Sequence, residues 1–267
     1  GMCGSVGDDD FGRFLVQTLE ENGVKVLNPK LCGKAITTLA FVTLAPDGNR
    51  SFTFARKPGA DMFLEEEAVK AEDIQSTAIV HAGSCSLSAS PVAEATIKAL
   101  RLGHEMGKLV SFDVNYRNVM WQDDQAACAA KVREILPYVD LLKVSDEEVG
   151  MMGGEAALPG LMEEFGVTVV VETLGGAGAR CFFAGECWDT AGRKVPCVDT
   201  NGAGDAFWGA FLSSLRIQGV EKASQLTEDI VRRAMEYGNA AGGLTVQKKG
   251  AIPALPTREQ IEAFLAS

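Results

Sequence analysis

The stretch Asp199-Thr-Asn-Gly-Ala-Gly-Asp205 runs straight into an apolar segment, AFWGAF (206–211). Two glycines around an alanine permit a tight turn whose backbone N–H groups face outward at the start of a buried helix. Unpaired donors and the positive end of a helix dipole together make a hole for an anion. Gly202, Ala203 and Gly204 are the candidates for that hole, and Asp205 stands at its rim. A carboxylate there would repel a resting phosphate, which points to a task in chemistry: taking the proton of a hydroxyl that attacks phosphorus. The competing reading is an acidic residue that merely favours the first turn of a helix.

Three more polar clusters could share such a site. TLGGAG (173–178) is a glycine turn after an apolar run, with Thr173, Gly175 and Gly178 able to approach a second phosphate. Glycine turns after strands are common, so alone it says little. KVSDEE (143–148) sets Glu148 one helical turn beyond a strand end, where it could hold Mg²⁺ through water or simply be a solvated acid. DVNYR (113–117) offers Asn115 and Arg117 two residues apart on one side of a strand end. Arg117 suits a phosphate or carboxylate oxygen, or else a surface ion pair. There is no GxxxxGK[ST], and neither GGAGA nor GAGDAF satisfies GxGxxG, so a dinucleotide oxidoreductase fits poorly.

The elements that must hold these clusters alternate. FGRFLVQTLEENG (11–23) places Phe14, Leu15, Thr18 and Leu19 on one helical face and ends at Gly23. TLAFVTLAPDGNRSFTFAR (38–56) has two β-rich runs around Pro46-Asp47-Gly48-Asn49, a hairpin pattern. Beyond it, strands are expected at 78–83, 108–115, 139–145 and 167–175, with a helix at 90–107, Ser90 as its cap and Pro91 at its first position, and another at 123–136. Unbroken apolar strand runs suit a parallel sheet covered on both faces. In such sheets ligands bind beyond the carboxyl ends of the strands, where the four clusters are expected to fall. The expectation is one α/β domain over 1–267, with a small β-hairpin lid at about 36–56.

Bulk composition limits the partners. The 267 residues carry a formal charge of −11, which disfavours nucleic acid and anionic membranes. No apolar run is long enough to span a bilayer, and no secretory signal opens the chain. Seven scattered cysteines without a CxxC pair, and only two histidines, read as reduced structural thiols of a cytoplasmic protein.

Taken in this order, the clusters resemble the ribokinase-like (PfkB) carbohydrate kinases. DTNGAGDAFWGAF (199–211) is similar to that family's C-terminal signature. VGDDDFG (6–12), GSCSL (83–87), DVNYRNVMW (113–121), KVSDEEV (143–149), TLGGAG and NAAGGLTVQKKGAIPALPT (239–257) have counterparts there too. The resemblance implies a Rossmann-like ribokinase fold and ATP-dependent phosphorylation of a sugar hydroxyl, with Asp205 as base and Gly202 to Asp205 as anion hole. It implies Thr173 to Gly178 at the phosphates, Asn115 and Arg117 on the ATP side, Asn239 near the adenine, and Glu148 in the Mg²⁺ network. A monovalent cation, K⁺ as the candidate, goes with Asp199 and Asn201. FARKPGADMFL (54–64) is most similar to fructokinases and puts Arg56 and Asp61 near sugar and lid; 2-keto-3-deoxygluconate kinases share the DxNxR pattern. A homodimer is compatible with the family. Ser145 stands where the family usually has Asn. The family's first strand, with a sugar-binding Asp, and its GGxxxN segment precede VGDDDFG and have no counterpart here. The chain is therefore expected to be N-terminally truncated relative to the family, its nucleotide side intact and its sugar side incomplete. That keeps a second expectation open, a nucleotide-binding protein without a competent sugar site.

Overall fold

The computed structural model describes residues 1–44 and 50–267. The expected turn at Pro46 to Asn49 lies outside the described residues.

Helix α1 (Asp10–Glu21) starts where the Asp9 carboxylate accepts the N–H of Gly12 at 2.7 Å. Asp9 also takes the backbone N–H and hydroxyl of Thr37, so a single side chain caps the helix and fastens the segment that enters the hairpin. Strands β1 (Leu39–Leu44) and β2 (Arg50–Ala55) pair antiparallel, Leu39 opposite Ala55. Helix α2 (Ala71–Gln75) leads into the main sheet.

That sheet is built from β3 (Ile79–Gly83), β4 (Leu109–Asp113), β5 (Leu141–Ser145), β6 (Val169–Thr173), β7 (Gly178–Phe183) and β8 (Glu186–Ala191), side by side in that order. β3 to β6 run parallel; β7 and β8 return antiparallel. Helices α3 (Val92–Glu105), α4 (Gln125–Ile135) and α5 (Leu158–Phe165) connect the parallel strands, and α6 (Ala203–Ile217), α7 (Glu228–Thr245) and α8 (Arg258–Ala266) follow the sheet. Alternate residues sort to the two faces. Val110, Phe112, Leu142, Val144 and Val170 meet Leu100, Cys128, Val132 and Leu158 on one side. Leu109, Leu141, Val169 and Val171 meet Phe207, Trp208, Phe211 and Leu215 of α6 and Val231 and Met235 of α7 on the other. The mainly parallel sheet, covered on both faces and carrying a small separate hairpin, is the architecture the sequence implied.

Three local expectations are corrected. Ser90 does not cap α3: Pro91 takes the N-cap position, and the Ser90 hydroxyl donates to Glu94 at 2.7 Å instead. The β7–β8 hairpin was not anticipated, because its turn is Ala184-Gly185, both at positive φ (53° and 84°), and Ala is an unusual residue for that conformation. The apolar face of α1 is not buried; Phe11 and Phe14 are 56% and 64% exposed and only Gly12 is enclosed.

Candidate active site

The turn before α6 owes its shape to Gly202, whose φ of +75° is left-handed and whose missing side chain leaves room for Ala251, 3.4 Å from where a Cβ would stand. Gly204 is different. It lies inside the helix, and a Cβ there would meet only the Lys143 ammonium and its stem, at 3.6 and 3.8 Å. Ala206 N–H reaches Gly202 O at 2.8 Å and Ala203 N–H reaches Thr200 O at 3.3 Å. The N–H groups of Gly204 and Asp205 meet no acceptor among the described residues, and no side chain caps the helix. First-turn donors left this way suit an anion. Asp205 is exposed beside them, while Ala206, Phe207 and Trp208 anchor the helix in the core. One expectation fails here: DTNGAGD does not follow a strand end, since 192–202 holds neither strand nor helix between β8 and α6.

The loops beyond β4 and β5 are joined by Glu148. This buried carboxylate accepts Tyr116 N–H at 2.7 Å through Oε1 and Ser145 N–H at 2.9 Å through Oε2. No Lys or Arg pairs with it among the described residues, so the buried carboxyl group is held by backbone donors alone. Such a group fits a hydrated divalent cation. β4 stops at Asp113, two residues short of the expected strand end, so Asn115, which turns the chain with φ +40°, and Arg117 lie in the loop beyond its carboxyl end. Arg117 is exposed, its Nη1 donating to Tyr116 O at 2.9 Å.

Thr173 ends β6 opposite Ser145, and its carbonyl accepts Asp146 N–H at 3.0 Å. Gly175 turns the chain with φ +54° in open space. Gly178 is glycine for another reason: φ is +111°, and a Cβ would collide with the backbone of Thr190 and Gly192. Asn239 of α7 meets the same place, donating to Thr190 O at 3.0 Å. Asp199 is buried and accepts Asn201 N–H at 2.8 Å and Gly250 N–H at 3.1 Å, drawing the 250 loop against the turn before α6.

Arg56 and Asp61 come together at the base of the hairpin. Arg56 Nε donates to Asp61 at 2.7 Å, and Asp61 also accepts the Thr38 hydroxyl. The remaining guanidinium nitrogens reach Ser88 Oγ at 3.2 Å and Cys85 O at 3.4 Å, just past β3. Arg56 thus clamps the hairpin to the loop after the first sheet strand.

Sequence reasoning missed the polar floor under α6. Lys143 Nζ lies 2.9 and 3.0 Å from the two Asp113 oxygens, with both residues buried. One layer deeper, Ser111 Oγ accepts Trp208 Nε1–H at 2.8 Å and lies 3.0 Å from His81 Nδ1. Burial pushes Asp113 up to about 6 against the pull of Lys143. Burial likewise lowers His81, with Lys143 adding to the effect. The available signal was a charged residue inside each of two apolar strand runs, VSFDV (110–114) and LLKVS (141–145).

Among the described residues no three His, Cys, Asp or Glu side chains gather to hold a metal. No helix among them is long and apolar enough to cross a membrane.

An anion turn at the head of a helix, a carboxylate at its rim and acidic and glycine loops beyond parallel strands are the parts a phosphotransferase needs. The model of the pfkB family of carbohydrate kinases matches residues 1–258, and the chain belongs to that family. Probable fructokinase-4 of Arabidopsis thaliana is 36% identical over 271 residues, covering 99% of this chain and 81% of that protein. The fructokinase of Xylella fastidiosa, solved with bound ATP, superposes with a TM-score of 0.90 at 27% identity, covering 99% of this chain and 84% of the other. The fructokinase of Vibrio cholerae, solved with fructose, ADP and calcium ion, gives 0.83 at 32% identity, covering 98% and 84%. The protein is an ATP-dependent carbohydrate kinase.

Proposed function

We propose that the sugar is fructose and that the reaction is transfer of the γ-phosphate of ATP to one of its hydroxyls. The observation that carries this reading is the pair of unsatisfied N–H groups, Gly204 and Asp205, at the start of α6 beside an exposed carboxylate. Phosphoryl transfer has a loose transition state with charge spread on the equatorial oxygens, so positioning and electrostatics supply most of the catalysis. In this reading the Gly202-Ala203-Gly204 turn holds the transferring phosphoryl oxygens through the free N–H groups of Gly204 and Asp205. Asp205 orients the attacking hydroxyl and takes its proton late. Thr173, Gly175 and Gly178 bound the loop near the other phosphates, with Asn115 and Arg117 across from it and Asn239 toward the adenine.

Mg²⁺ is the proposed metal, held through water by Glu148, and its chemistry when bound is to neutralise phosphate charge. A monovalent cation, K⁺, is proposed beside Asp199 and Asn201, where a buried carboxylate draws two loops together. Arg56 and Asp61 set the hairpin over the sugar, which excludes water from the reaction. Exposed Phe41 on β1 supports self-association through the hairpin, which sedimentation measures.

The test is ATP-dependent phosphorylation across a panel containing fructose, 2-keto-3-deoxygluconate and ribose, with Mg²⁺ and with or without K⁺. Fructose is expected to give the highest kcat/KM. A higher value for 2-keto-3-deoxygluconate overturns the choice of sugar. Calorimetric ATP binding without phosphorylation of any sugar overturns the reading as a whole.

A further inference from the structure

The buried Asp113–Lys143 pair is the strongest chemical feature that the proposed mechanism leaves unused. In the register of β4 and β5 the two residues are direct neighbours. They point to the α6 side of the sheet, because Leu109 and Leu141, on the same faces of the same strands, pack against α6. Every other buried contributor to that face from β4 to β6 is apolar apart from Ser111.

Their position is against local electrostatics unless something negative arrives. An ammonium near a helix N-terminus faces the positive end of the dipole. Burying the pair also costs desolvation that apolar residues would not incur. Yet Lys143 is only 4% exposed, and its ammonium lies 3.6 Å from the Cβ position of Gly204, directly beneath the anion turn. Asp113 holds it there with both oxygens, so it cannot swing away. The titratable and charged groups around the pair come from each neighbouring element: His81 of β3, Asp205 of α6 and Glu148 beyond β5.

We propose that Lys143, clamped by Asp113, is a positioning residue of the phosphoryl transfer: its fixed charge raises the positive potential of the Gly202–Asp205 turn from below. Its work is electrostatic and pre-organised, felt by an anion in the turn without Lys143 leaving the core. Gly204 leaves the space between the ammonium and the turn clear of a side chain. The inference rests on the reading of that turn as the phosphate site.

The test separates charge from packing. Lys143→Met removes the charge but leaves Asp113 buried and unpaired, so it is expected to melt at a lower temperature. The double variant Lys143→Met, Asp113→Leu replaces the pair with apolar residues and should recover the melting temperature. In that recovered fold, kcat is expected to stay about 100-fold down. ATP affinity by calorimetry is expected to fall about tenfold while adenosine affinity is unchanged, because of the two charges removed the ammonium is the nearer to the turn, 3.6 Å from the Gly204 Cβ position where no Asp113 atom comes within 4 Å. A double variant with wild-type kcat and wild-type preference for ATP over adenosine overturns the proposal. Should the wild type phosphorylate no sugar, the ATP-over-adenosine comparison still decides this inference, separately from the proposed function.

Discussion

The two ends of the molecule are held by different physics. From β4 to α7 the chain is fixed by burial, and the turn before α6 rests on Phe207, Trp208 and Phe211, all 4% exposed or less. Residues 1–44 and 50–63 are fixed by polar ties: Asp9 to Thr37, Asp61 to Thr38, Arg56 to Asp61, Ser88 and Cys85. Their large apolar side chains include Phe11, Phe14, Ile36 and Phe41, each more than half exposed. A phosphate turn needs donors that do not move, which dense packing provides. In the proposed reading, a hairpin that closes over a substrate would need a small set of directional bonds about which to pivot.

Truncating a phenylalanine at each end is the sharpest way to break this contrast. Phe211 is fully buried and stacks on Trp208 at 4.7 Å between ring centroids, so Phe211→Ala should cost about 3–5 kcal/mol in denaturant unfolding. Phe14→Ala, at a side chain 64% exposed, should stay within about 0.5 kcal/mol. Equal losses would erase the distinction.

Gly202→Val comes next. It forces a branched side chain into a left-handed conformation against Ala251, costing about 1–3 kcal/mol of stability. It should also weaken ATP binding by calorimetry in the folded fraction. Gly204→Ala is the control, since that position meets nothing closer than 3.6 Å; wild-type stability is expected. A Gly202→Val variant as stable as Gly204→Ala would mean the turn does not need its left-handed residue.

The smallest effect is a difference of sign with pH. The N–H groups of Thr37 and Gly12 hold Asp9 below the usual carboxylate range, so the stability it adds is present above its unfolded pKa and lost as pH falls through the folded one. Asp113 runs the other way. Burial raises it to about 6 from an unfolded value of about 3.9, so its contribution declines as pH climbs between those two values. Melting curves should show Asp113→Asn removing a loss of stability between about pH 4 and 6, and Asp9→Asn removing a loss in stronger acid. Identical profiles for both variants would refute the assignment.

Most of the parallel sheet was legible because apolar runs of five or six residues, punctuated by polar clusters, have few other uses. The α6 turn was legible because a glycine directly ahead of an apolar helix, Gly202, permits the left-handed residue the turn uses whatever surrounds it. What escaped was set by partners distant in sequence. Gly178 was read as a phosphate glycine, and the close approach of the Thr190 and Gly192 backbone, which also requires glycine there, was not visible. Arg56 and Asp61 were read as lying near sugar and lid, but their bonds to each other, to Thr38 and to Ser88 and Cys85 past β3 could not be read from the sequence. Lys143 and Asp113 lie 30 residues apart, and only strand register makes them a pair. Periodicity reports which face a residue takes, not what it meets there.

The account turns on Asp205 acting at the anion turn, and kcat of Asp205→Asn at saturating ATP and sugar tests that most directly. ATP affinity is measured alongside by calorimetry. The account predicts a fall in kcat of about 10²–10⁴, typical of a positioned acid–base group, with ATP binding kept or tightened by removal of a charge. A variant that binds ATP and turns over at the wild-type rate would contradict it.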